Sequence, residues 1–128
     1  MDNPLDGKFC EVYTPEVHPK GWGRELWIAN NPGYCGKILE LLNGKRCSIH
    51  YHKLKDETFF LLSGSIRLDL YPDGYPGVPK EIVMSPGDTV RIPQNTPHQF
   101  LGLADKSEIL EISTQHFESD SYRHVKGD

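Results

Sequence analysis

Two imidazoles, a carboxylate and a third imidazole stand in this chain at spacings that suit a divalent transition metal. His50 and His52 are separated by one residue, so on a strand both side chains leave the same face. Glu57 follows across a short polar turn, Lys53 to Asp56, and opens the apolar run Thr58-Phe-Phe-Leu-Leu62, which can pair back as the next strand. His98 lies downstream in Gly87-Asp-Thr-Val-Arg-Ile-Pro93-Gln-Asn95-Thr-Pro-His98. Three neutral imidazole nitrogens and one carboxylate oxygen suit Zn, Mn, Fe or Ni, and four protein ligands leave room for a substrate on the ion. Such a centre keeps a net charge of about +1 and polarises hydroxyl, carbonyl, carboxylate or phosphate oxygens as a Lewis acid. Cys47 has the opposite strand parity to the two histidines and is not counted as a ligand.

The elements that must position these groups read as strands. Ten prolines and twelve glycines punctuate short apolar runs. Strands are expected over residues 25–29, 36–42, 47–52, 58–62, 65–71, 81–84, 89–92, 99–103 and 108–113. Turns fall at Asn30-Asn-Pro-Gly33, at Ser63-Gly64 and along the Pro/Gly stretch from Tyr71 to Pro79. A single helical turn is expected near Phe117–Tyr122, too short to stand alone. If His50 and His52 face a barrel interior, so does Ser48, while Cys47, Ile49 and Tyr51 face out. On the next strand Glu57, Phe59 and Leu61 face in, leaving Phe60 and Leu62 outside. Two neighbouring strands with apolar outer faces need cover from residues 1–15 or from a second copy, and a homodimer is the expectation.

Composition narrows the classes. The 128 residues read as one domain, 1–128, long enough for a core without staples. The net charge is −4 and no basic cluster forms a nucleic-acid footprint. No apolar run reaches the length of a membrane span, and Met-Asp-Asn-Pro-Leu-Asp lacks the pattern of a signal peptide. Cys10, Cys35 and Cys47 are odd in number and show no paired spacing. They read as reduced thiols in a cytoplasmic protein.

The spacing Gly-x5-His-x-His-x4-Glu-x6-Gly, formed by Gly44, His50, His52, Glu57 and Gly64, resembles the first cupin motif at every position. In the second cupin motif Gly87, Pro93 and His98 match, with Asn95 standing for the turn glycine and Gly102 for the final Asn. Asn tolerates the left-handed conformation that such a turn needs. The resemblance implies an all-β cupin fold, a double-stranded β-helix or jelly-roll barrel.

The flanks carry a finer likeness. Lys20-Gly-Trp22-Gly23-Arg24-Glu25-Leu-Trp27 resembles the Arg/Lys-Pro-Trp-Gly segment that opens the cupin domain of type II phosphomannose isomerases, and Tyr34-Cys-Gly-Lys37 is similar to that family's Tyr-x-x-Lys. The tail from Leu110 to Arg123 is similar to the family's terminal Ile-Glu-Val-Gln…Arg segment. The imidazole-rich set with His50 is closer to lyxose-isomerase-type sugar cupins.

The resemblance implies a sugar or sugar phosphate as the small-molecule partner, with Arg123 near the substrate. Lys37 is a candidate proton-transfer group or phosphate partner. Glu111, mid-strand in an apolar context, is costly unless paired or facing a cavity, and is a candidate base or substrate anchor. Arg123 has a competing reading as a structural partner of Glu118 or Asp120. Trp22 and Trp27 offer either a sugar-stacking face or packing. His18, His116 and His124 have no recruiting spacing and read as surface residues. The expected activity is aldose–ketose isomerisation, against an Fe²⁺ dioxygenase and a non-catalytic metal- or sugar-binding module.

Overall fold

Side chains along Glu57–Ser63 alternate between buried and partly or fully exposed, as a strand with one face on a core requires. The computed structural model, which describes residues 10–128, forms eleven strands. They are β1 (Glu16–Lys20), β2 (Gly23–Asn30), β3 (Cys35–Leu42), β4 (Ile49–Tyr51), β5 (Glu57–Ser63), β6 (Ile66–Leu70), β7 (Lys80–Met84), β8 (Thr89–Ile92), β9 (His98–Gly102), β10 (Lys106–Ser113) and β11 (Tyr122–Val125). One 3-10 turn, Glu118–Asp120, stands where a helical turn was expected.

The strands form two antiparallel sheets, ordered β1-β2-β3-β10-β5-β8 and β11-β4-β9-β6-β7. This is the all-β jelly-roll architecture. Phe59, Leu61, Ile66, Leu68, Phe100 and Ile109, none more than 2% exposed, fill the space between the sheets. Gly64 closes the β5–β6 turn with φ +87°, and a Cβ there would meet the backbone of Lys106 and Ser107. Only glycine suits that position. Asn95 takes φ +65°, as its place in the turn requires, and its N–H donates to the His52 carbonyl at 2.7 Å.

Two strands were not legible. β1 carries Pro19 and an almost fully exposed pattern, which an edge strand tolerates because one side of its ladder is unpaired. β11 is four mostly polar residues at the opposite sheet's edge, beside β4.

The outward assignment of Cys47 is corrected. The regular strand begins only at Ile49, so parity does not run back to Cys47, which joins the hydrophobic core. Ile49 is also buried within the chain, and Tyr51 stacks on its register partner Tyr122 at 5.1 Å. The expected cover by residues 1–15 lies, for residues 1–9, outside the described residues. No helix among the described residues is long and apolar enough to cross a membrane.

Candidate metal and substrate site

The two sheets contribute different chemistry to one cavity. His50 and His98 are register partners on β4 and β9, so they share a face, and His52 follows just beyond β4. Each Nδ1 meets a backbone carbonyl: His50 that of Ser48 at 3.1 Å, with the Ser48 hydroxyl at 2.9 Å, His52 that of Asp120 at 2.9 Å and His98 that of Thr96 at 2.9 Å. A carbonyl only accepts, so the Nδ1 of His52 and of His98 carries the proton and their Nε2 atoms present lone pairs. His52 and His98 aim Nε2 at the same atom, Glu57 Oε1, at 3.5 and 3.6 Å. His98 Nε2 is buried and has no hydrogen-bond partner.

Two donors that share one ion at about 2.0–2.2 Å lie roughly 3–3.5 Å apart. The Glu57–His52 and Glu57–His98 separations are close to that range, while the His52 and His98 rings stand 6.3 Å apart, centroid to centroid. The His50 ring lies 4.5 Å from that of His98 and 5.1 Å from that of His52, centroid to centroid. As placed, no group of three or more His, Cys, Asp or Glu side chains among the described residues could hold a metal ion. The tautomers and the orphaned Nε2 are what fit an ion here. Burial drives His52 and His98 down to about 4, and drives His50 well below the usual imidazole range with the other two histidines adding to it. All three are neutral at pH 7, the form that coordinates.

The carboxylates and lysines come from the other sheet and its loop. Lys37 on β3, Glu111 on β10 and Phe59 on β5 are successive register neighbours and point inward together. Lys55, 2% exposed, places Nζ 2.6 Å from Glu111 Oε2, 3.0 Å from His116 Nδ1 and 3.6 Å from Glu57 Oε2. Ser113 Oγ donates to Glu111 at 2.9 Å.

Burial raises Glu111, but Lys55, Lys37 and these hydrogen bonds outweigh it and hold the group below the usual carboxylate range. Glu57 goes the other way, pushed up to about 8 by burial and by the Glu111 charge. Burial likewise lowers Lys37, whose Nζ is 3.8 Å from Glu25 and 4.2 Å from the centre of the Trp27 ring. In Lys55 the two carboxylates overcome burial and raise the ammonium.

These groups line a cavity of about 200 Å³, with Trp22 and Phe59 in its wall and Lys20, Arg123 and Lys126 also lining it. Arg123 is the register partner of His50, so it shares the imidazole face from β11. No salt bridge joins Arg123 to Glu118 or Asp120, although the Arg123 charge adds to the His116 hydrogen bond in lowering Glu118. The Asp120 carboxylate accepts the N–H groups of Lys53, Leu54 and Lys55, and Glu118 accepts from His116 at 3.0 Å.

Trp27 is not available for stacking, because His18 lies against its ring at 4.0 Å and Lys37 covers it. His116 and His18 are corrected from surface residues. His116 is buried, lines the cavity and is clamped by both ends of the Asn30 amide. His18 is half-buried on Trp27, whereas His124 is exposed over Tyr75.

Sequence reading missed Lys55, His116 and Asp120. Lys55 shares the parity of Glu57, a signal that was present but hidden by its place in a polar turn. His116 and Asp120 lie in the irregular segment between β10 and β11, where no periodicity reports direction.

Comparison with known proteins agrees with this architecture. The cupin domain family (Cupin_2) matches residues 37–112. Quercetin 2,3-dioxygenase of Bacillus subtilis (strain 168) is 37% identical over 57 residues, covering 44% of this chain and 15% of that protein. The capsular polysaccharide assembling protein CapF of Staphylococcus aureus superposes with TM-score 0.77 at 18% identity, over 90% of this chain and 35% of its own. KdgF from Halomonas sp. superposes with TM-score 0.64 at 18% identity, over 75% of this chain and 81% of its own. Oxalate decarboxylase from Bacillus subtilis gives TM-score 0.75 at 16% identity, over 88% and 31%. The chain thus spans about a third or less of the dioxygenase, CapF and the decarboxylase, and at these identities the structural likenesses speak to fold alone. With the family match extending over more than half its residues, the chain belongs to the cupin domain family.

Proposed function

We propose that the chain is a metal-dependent aldose–ketose isomerase acting on a sugar or sugar phosphate. The observation that carries the reading is Glu111, a buried carboxylate held ionised by Lys55 beside the imidazole cluster yet facing the cavity. An isomerase needs a base distinct from the metal ligands, and Glu111 meets that need. His50, His52, Glu57 and His98 would hold a divalent transition metal (Zn, Mn, Fe or Ni). When bound, that ion supplies Lewis-acid polarisation of the carbonyl and adjacent hydroxyl of an open-chain sugar.

The chain's own groups then move the protons. Glu111 takes the proton from C2 of the aldose and returns it to C1 of the enediol, and the net reaction consumes and releases nothing else. Lys37, whose pKa burial lowers, exchanges a proton with the substrate oxygens. Arg123, from the edge strand, orients the substrate's far end or its phosphate. Phe59 and Trp22 form part of the wall and limit water at the reacting carbons.

A second reading, an Fe²⁺ dioxygenase, is favoured by the 57-residue match to quercetin 2,3-dioxygenase. A third is a metal-dependent sugar-binding module without turnover. The deciding experiment presents a panel of aldoses and their phosphates to the metal-loaded protein under argon and in air. Isomerisation at equal rate in both supports the proposal. Oxygen uptake coupled to substrate loss moves the chain to the dioxygenase class, and binding without turnover moves it to the third.

A further inference from the structure

The Lys55 ammonium stands between two buried carboxylates and touches both. Its Nζ lies 2.6 Å from Glu111 Oε2, 3.0 Å from His116 Nδ1 and 3.6 Å from Glu57 Oε2. We infer that Lys55 is a positioning residue that keeps the Glu111 carboxylate out of the coordination of an ion held by His50, His52, Glu57 and His98, so that Glu111 stays available as a base. The inference rests on the metal reading above.

The physical problem it solves is general. In a cavity that excludes water, a free carboxylate beside a dication is drawn to it, because little screening opposes the attraction. Glu111 is 4% exposed, and Ser113 is its other hydrogen-bond partner. Without a cation bonded to it, the carboxylate keeps only the Ser113 hydrogen bond to oppose that pull. Lys37 acts on Glu111 through its charge but is not bonded to it, since its ammonium lies against Glu25 and the Trp27 ring. Lys55 is bonded to it, at the distance of a charge-assisted hydrogen bond.

The position of Lys55 is itself fixed from behind. His116 Nδ1 accepts from the ammonium and is clamped by Asn30, while the Lys55 N–H donates to the Asp120 carboxylate at 3.1 Å. Glu57 divides its oxygens accordingly, with Oε1 toward two imidazoles and Oε2 toward Lys55. The result separates the two carboxylates by role: Glu57 binds, and Glu111 stays free.

The test is the visible absorption of Co²⁺ added to the purified chain, whose bands weaken as ligands are added to the ion. If the parent protein binds no Co²⁺, the metal reading itself fails, and this inference with it. Given binding by the parent, E111Q is expected to leave the bands unchanged, because Glu111 is not a ligand. K55M is expected to weaken and shift them as Glu111 joins the ion, and K55M/E111Q to return them to the parent form.

Parent-like bands in K55M overturn the inference while leaving the metal reading intact, and so does a changed spectrum in E111Q. Should K55M not fold, K55Q is read the same way. E111Q is informative whichever lysine variant is used.

Discussion

The backbone carbonyl of Asp120 accepts the Nδ1–H of His52 at 2.9 Å, across 68 positions of sequence. The Asp120 carboxylate meanwhile gathers the N–H groups of Lys53, Leu54 and Lys55. One residue of the tail therefore orients an imidazole and shapes the turn that leads to Glu57. Asp120→Ala is expected to lose about 2–3 kcal/mol in urea unfolding, the scale of buried N–H groups left unpaired. The same variant should bind Zn²⁺ about tenfold more weakly, as disturbed supporting contacts do. Asp120→Asn, which keeps one acceptor oxygen, should lose less of both. Unchanged Zn²⁺ affinity in the alanine variant would remove the tail from the site's support.

Metal binding should expel protons in a number set by the site. At pH 7 His52 and His98, held near 4, are already neutral, while Glu57, pushed up to about 8, still carries its proton. Zn²⁺ binding is therefore expected to release about one proton at pH 7 and close to none above about pH 9. Calorimetry in buffers of different ionisation enthalpy measures this, and release of about three would mean that the imidazoles start out charged.

The same shifts set the stability of the metal-free chain. The depressed histidines contribute stability that is present above their unfolded pKa of about 6.5 and is lost as pH falls toward 4. The raised Glu57 contributes stability that is present below about 4.5 and is lost as pH rises toward 8. Considering these groups together, thermal stability without metal should peak near about pH 6.5.

Arg123 shares a face with His50 yet makes no ion pair with Glu118 or Asp120. Arg123→Ala should leave metal content unchanged and raise KM about tenfold, the loss of a contact made in both ground and transition states. A variant that loses metal along with activity would assign Arg123 a structural part instead.

The first sheet presents an apolar row on its outer face. Val17, Leu26, Ile38, Leu110 and Phe60 are successive register partners across five strands, and Leu62 and Ile112 beside them are 42% and 56% exposed. This face, rather than Ile49 or Tyr51, is where the expected homodimer would form. Light scattering at micromolar concentration should give twice the chain mass, and Ile112→Glu should give the single mass. A monomer for the unaltered protein would contradict the dimer.

What the sequence disclosed depended on periodicity. The nine expected strands all appear within a few residues of their places, because alternation and Gly/Pro punctuation act locally. His50, His52, Glu57 and His98 were legible as a group because their motif spacing is local, and the two sheets turn all four toward one cavity. Lys55 and His116 were not, since neither lies on a strand and both are recruited by partners distant in the chain. Cys47 misled because parity was extended past the point where the strand becomes regular.

Metal content by mass spectrometry, after Zn²⁺ loading and removal of the excess, tests the central claim most directly. The account predicts about one ion per chain for the parent protein and a near-complete loss in His98→Ala and His52→Ala, with both variants still folded by circular dichroism. Equal metal content in the parent and the two variants, or none in any of them, would contradict it.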